Sequence, residues 1–454
     1  MASADVIAHL LRRATFGPTA DEVDAAVRAG LDATLDRLLA PVGSDPGAAG
    51  TPVPKLGPDP YAALAKPVDR QQRQQANKQR TEQVRQVQQW WLDRMVAAEH
   101  QLTEKLIFFW HGHWATSVQK VKSAQLMLTQ LDTLRRYGRG GFDALVTAMV
   151  RDPAMILWLD GEKNTRKAPN ENLARELMEL FTLGIGHYSE PDVKAGARAL
   201  TGWTVDRATG AAGFAAKRHD PDPKTILGRT ENFDAQSYAR LLAAQPRATQ
   251  FVRSRLWFRF AGTAPGDGTA PGDGTASAAS PGPGAGPGAG PGAGPADITA
   301  TLREVFTDPA FAGTRGHLVK QPVEWVVGAM RQLGVRPSAL SEQERRQVQS
   351  GLSGMDQVPL RPPSVGGWPA GSAWLTTSAL QARMRLADLL ATAAGPTVGQ
   401  RLAAAPEAGR LDALARLLVV DGWSERTRAA LTPLAAKPER LVAAALVSPE
   451  YTVC

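Results

Sequence analysis

Apolar residues recur along most of this chain three and four positions apart, the spacing of a helix with one buried face, and alternating strand-like runs are scarce. Residues 3–14 put Val6, Leu10 and Leu11 on one face, and 20–40 reads as two short helices parted near Gly30. A long Gln/Arg-rich stretch, about 67–100, leads into Trp90, Trp91 and Met95. Thr103 is expected to cap a helix carrying Leu106, Phe109, Trp110 and Trp114, and Ser123 to Tyr137 another, stopped by Gly138. Asn170 is the expected N-cap of a helix running to Phe181 and closed by Gly184, with a fresh start at Ser189-Glu190-Pro191-Asp192. Further on, 297–306, 319–333, 341–349 and 377–391 read as helices, and Ser341 with Glu344 has capping-box spacing. The pattern therefore predicts an all-α fold.

Two segments break the pattern. Residues 41–60 are rich in Gly and Pro, and 261–296 repeats Ala-Pro-Gly-Asp-Gly-Thr and then Gly-Pro-Gly-Ala. The second has nothing to bury, so it is expected to be a disordered insertion. About 35 residues of that kind span ~30 Å, enough to join two parts of one body across its surface. The expected organisation is a single helical domain built from 1–260 and 297–454, interrupted by 261–296.

Composition adds bounds rather than a function. A hydrophobic content of 43% in 454 residues suffices for a sizeable core. The net charge of +8 leans towards acidic partners but is spread thinly, and solubility accounts for it more simply. One cysteine, Cys454, excludes an internal disulfide, a cysteine zinc site and an iron–sulfur cluster. The first residues lack the basic-then-apolar order of a secretory signal, no apolar core follows Arg12-Arg13, and no apolar run is long enough to span a membrane, so the expected location is cytoplasmic.

Chemistry-bearing residues concentrate between about 100 and 225. On the helix after Asn170, Leu173, Leu177, Leu180 and Phe181 share a face, with Asn172, Glu176 and Glu179 as a polar stripe on its shoulder. Carboxylates beside an apolar stripe lose hydration, which raises their proton affinity and suits acid–base work; Arg175, four residues from Glu171, is the cation that would instead make the stripe structural. His111 and His113 diverge by about 200° on a continuous helix and could meet at one divalent metal only if Gly112 breaks it. His219, Asp220 and Lys224 could move protons or bind an anion, or simply form a polar loop. Trp110 and Trp203 could stack on a ligand, although most of the chain's eleven tryptophans are expected in the core.

These stretches together resemble a bacterial family known as domain of unknown function 1800. The resemblance rests on His9-Leu10-Leu11-Arg12-Arg13-Ala14-Thr15-Phe16-Gly17, Glu104-Lys105, Phe109-Trp110-His111-Gly112-His113-Trp114-Ala115-Thr116-Ser117, the stretch 170–184, Ala199-Leu200-Thr201-Gly202-Trp203, His219-Asp220, Lys224, Lys320-Gln321-Pro322-Val323-Glu324 and Pro362-Pro363-Ser364-Val365-Gly366-Gly367-Trp368-Pro369. It spans nearly the whole chain and implies one interrupted helical domain without bringing an activity. It also implies export in many relatives, and a neighbouring family with a sulfatase- or phosphatase-like fold as a partner.

Two functions compete on this reading. The first is a hydrolase of a carbohydrate-like or otherwise polar or anionic polymer, with Glu176, Glu179, His219 and Asp220 as acid–base groups. Asn172, Arg175, Trp110, Trp203 and Lys224 would bind substrate, and a divalent metal on His111 and His113 is one variant. The second is a non-enzymatic binding or accessory protein whose polar motifs form a structural network. Nucleic acid is not an expected partner, since the basic run around 70–85 reads more simply as a solvated helix face. One shared open cleft would favour the enzyme; sealed and mutually satisfied groups would favour the network.

Overall fold

The computed structural model of the chain describes residues 4–41, 43–61, 64, 69–262 and 295–454. Most of the expected low-complexity insertion, residues 263–294, lies outside them. Among the described residues the fold is predominantly helical, with few strands.

The helix starts follow local chemistry. Gly30, at φ +88°, separates Ala20–Ala29 from Leu31–Leu39, and Thr19 and Glu22 cap the first of these reciprocally. Asp69 and Gln72 do the same for the 28-residue helix Arg70–Ala97. Ser123 caps Ala124–Tyr137, Ser189 with Asp192 caps Glu190–Ala199, and Ser341 with Glu344 caps Glu342–Gly354, as their sequences predict. Thr103 is not a cap. The helix Gln101–His113 begins earlier, and Thr103 sits inside it, accepting from Arg139 at 2.6 Å.

Between Thr201 and Phe233 the chain leaves helical geometry for two small antiparallel hairpins. Trp203–Asp206 pairs with Ala211–Phe214, Trp203 opposite Phe214, and Lys224–Ile226 pairs with Arg229–Glu231. These strands are three or four residues long, too short for an alternating pattern to show in the sequence.

A contiguous apolar core draws on both sides of the insertion, taking Leu10, Phe16, Trp91, Trp110 and Trp114 together with Trp325, Leu446 and Tyr451. Helix Pro322–Leu333 is buried along nearly its full length. Two close backbone approaches hold this packing. A Cβ on Gly17 would lie 2.7 Å from the Cα of Gly328, and one on Gly367, at φ +89°, would lie 2.5 Å from the carbonyl oxygen of Gly112. The second brings the loop around Trp368 against the helix carrying His111 and His113. No described helix is long and apolar enough to cross a membrane.

Candidate functional site

The acidic stripe lies on an irregular helix. Asn172–Glu176 is α-helical, and Leu177–Thr182 continues it as a π-helix. Asn170 accepts from the amide of Asn172 rather than acting as the formal cap. A π turn widens the helix and displaces its carbonyls, and such turns often occur where side chains need unusual placement. Leu177, Met178, Phe181 and Thr182 face the core, while Glu176 and Glu179 remain half-buried.

Burial raises the proton affinity of Glu176, and neighbouring Glu179 adds to the effect against a smaller opposing contribution from Arg175. Tyr188 donates to Glu179 Oε2 at 2.7 Å, and burial and that carboxylate push the phenol up. Arg175 is bound to Glu190 at 2.7 and 2.8 Å and to Glu171 at 3.0 Å, so it serves the surface network rather than an open binding position. Tyr188 carried no signal in the sequence, and Glu190 was legible only as part of a helix start. They reach the helix only because the chain reverses through Gly184 and Gly186, both at positive φ.

The two motif histidines do not meet. Helix Gln101–His113 runs unbroken through Gly112, so their rings turn to different neighbours. His111 Nε2 accepts from the Leu360 amide at 3.1 Å, and its ring packs between Trp91 and Trp368. His113 Nε2 donates to the Phe181 carbonyl at 3.1 Å, at the end of the π turn, among the rings of Trp110, Trp114 and Phe181. Burial lowers both to about 3, so both rings are neutral at neutral pH. The described residues include no cluster of three or more His, Cys, Asp and Glu suited to a metal ion. The expected metal pair therefore does not fit its surroundings: each ring has one nitrogen committed to backbone and is walled in by aromatics.

The third cluster is a loop clamp. Asp220 is paired with Arg198 at 2.7 Å, and this hydrogen bond is the main cause holding its carboxyl below the usual range. An ionised, arginine-bound Asp220 is poorly suited to the general-acid role entertained for it. Lys224 is buried and donates to the carbonyls of Asp220 and Asp222 at 2.6 and 2.9 Å, which closes the turn and leaves it unsuited to substrate. His219 donates through Nδ1 to the Thr201 carbonyl at 3.0 Å and lies beside exposed Phe214. Trp110 is a core residue, fully buried, with its indole N–H on Gly138 O at 2.7 Å, and cannot stack on a ligand. Trp203 is half-buried beside Phe214.

The structure thus groups Glu176, Glu179, Arg175 and Tyr188 at one surface position, and His219, Asp220 and Lys224 in a separate loop. His111 and His113 are sealed in the core. Asn172 lies half-buried at the start of the acidic helix.

Comparison with known families matches residues 9–453 to one described as "Protein of unknown function (DUF1800)". No curated protein and no solved structure matches the chain.

Proposed function

We propose, from the premise that this chain belongs to the DUF1800 family of proteins of unknown function, that it is a non-enzymatic binding or accessory protein whose motif residues hold a loop-rich helical body rigid. One observation carries this reading: the polar residues of the motifs bond to backbone groups of distant segments. His9 bonds Phe311 O at 3.2 Å, Lys105 bonds Thr15 O at 2.7 Å, Trp110 bonds Gly138 O, His113 bonds Phe181 O, and His111 accepts from Leu360 N–H. Buried loop and helix-end groups need such partners, because leaving one unpaired costs roughly 1–3 kcal/mol. A protein partner of the sulfatase- or phosphatase-like kind and a cytoplasmic location remain parts of this proposal.

The hydrolase reading keeps one observation in its favour. Glu176 is half-exposed, has a raised proton affinity and stands beside Glu179 on a π-helix. The test compares wild-type protein with Glu176→Gln and with the Glu176→Gln/Glu179→Gln pair on polysaccharide and ester substrates, with and without divalent metal. The accessory reading expects no turnover that depends on either carboxylate, and a lowered thermal midpoint in His113→Ala. Turnover abolished by Glu176→Gln in a protein of unchanged stability would establish the hydrolase instead.

A further inference from the structure

Three motif segments that play no part in the acidic site converge elsewhere with helix Pro246–Phe260. Arg13 from the first helix, Lys105 from Gln101–His113, Arg259 from Pro246–Phe260, and Lys320 and Glu324 from the segment beyond the insertion gather in one buried charge cluster. Lys105 Nζ sits 2.7 Å from Glu324 Oε1, and Arg259 Nη2 lies 2.9 Å from the same oxygen but is poorly aligned for a hydrogen bond. The second oxygen of Glu324 accepts from the Gln321 amide. Burial disfavours the ionised carboxylate, but the charges of Arg259 and Lys105 outweigh it and hold Glu324 well below the usual range.

The charges do not balance. Four basic side chains, Arg13, Lys105, Arg259 and Lys320, surround one carboxylate, Glu324; burial lowers the proton affinity of Arg13, Lys105 and Lys320, the last to about 8, so their charged forms gain from a nearby negative charge. Arg12, at the rim, is already matched by Asp421 at 2.7 Å. Lys320 is only 8% exposed, and its ammonium has no ion-pair partner or hydrogen-bond acceptor among the described residues; it rests on the Tyr451 ring, 3.7 Å from the centroid. Arg13 donates from one nitrogen to Thr314 O, while its Nε and Nη1 have no partner. Positive charge this largely desolvated is costly unless water or an anion reaches it.

A hollow lies at this point, lined by Arg12, Lys105, Lys320, Glu324, Gln332 and Cys454 among others. It has room for about one water-sized group. Gln332 cannot supply the missing charge, and its amide is already used by the carbonyls of Pro18 and Leu418.

We propose that this hollow binds a single small anion of halide size, contacted by Lys320 and stabilised by the field of Lys105, Arg13 and Arg259. The site ties the first helix, helix Pro322–Leu333 and the chain around Cys454 together, independently of the accessory function proposed above. The narrow space favours a monatomic anion over sulfate or phosphate.

The test is thermal unfolding of the full chain in halide-free gluconate buffer, titrated with sodium chloride or bromide at constant ionic strength. The proposal expects a saturating upward shift of the midpoint with both halides, a weaker or absent shift with sulfate, and loss of the saturating shift in Lys320→Gln. A shift that does not saturate, or that Lys320→Gln retains, is general salt stabilisation and overturns the proposal. Equal saturation by sulfate overturns the size limit. Should Lys320→Gln fail to fold, bromide-soaked wild-type crystals decide: an anomalous peak within hydrogen-bond reach of Lys320 Nζ supports the site, and an empty hollow refutes it.

Discussion

At the residue scale, Lys105, Trp110, His111 and His113 are buried and bonded to the backbone of other segments, whereas Glu176 and Glu179 stay half-exposed. Trp110 is fully buried and hydrogen-bonded, so Trp110→Ala should cost about 3–5 kcal/mol in denaturant unfolding, whereas a surface stacking tryptophan would cost little. Glu324→Gln should also cost roughly 3–5 kcal/mol by the same measurement, because it strands Lys105 and Arg259 without their shared carboxylate. A loss under 1 kcal/mol would show that the cations relax to solvent. The core role of most tryptophans was legible in the sequence, since size and hydrophobicity are local properties. The pairing of Lys105 with Glu324 was not, because residues so far apart in sequence carry no periodic signal of their contact. Tyr188 lies near Glu179 in sequence, but the turn through Gly184 and Gly186 between them breaks the helical period that would have paired them.

At the element scale, helices announced themselves through caps and apolar period, and the starts at Ser123, Ser189 and Ser341 fall where their side chains dictate. Two things escaped. The π turn Leu177–Thr182, whose Phe181 carbonyl bonds His113, follows an apolar spacing that reads as an ordinary α-helix. The hairpins around Gly210 and Gly228 are too short for alternation to register. One element contact sensitive to change is the loop at Gly367. A side chain there meets Gly112 O and is strained by a positive φ. Gly367→Ala should therefore destabilise by on the order of 1–3 kcal/mol and expose the ring of Trp368, seen as a shift in tryptophan fluorescence. Gly366→Ala, whose added carbon would meet only the Ser364 hydroxyl at 3.6 Å, should change neither.

At the scale of the whole molecule, buried neutral histidines set the response to acid. Burial lowers His9 to about 4 and His111 and His113 to about 3, so the unfolded chain takes up their protons first. Their contribution is complete above about pH 6.5 and is lost as pH falls towards 3–4. Asp152, raised by burial to about 6, acts in the opposite sense: its contribution is present below about pH 4 and is lost as pH rises through 6. Three histidines outweigh one aspartate, so stability should fall by on the order of 4 kcal/mol between pH 7 and pH 5. Urea unfolding across that range measures it, and a flat or rising profile would mean that the rings are hydrated.

The central claim is that the motif histidines are sealed structural groups and not metal ligands, and histidine-selective nuclear resonance titration reads this directly. With His111→Gln and His113→Gln to assign the signals, both rings should stay neutral down to the onset of acid unfolding and should not move when one equivalent of zinc is added. Protonation near pH 6.5, or zinc-induced shifts at both rings, would contradict the account and return these residues to a working metal centre.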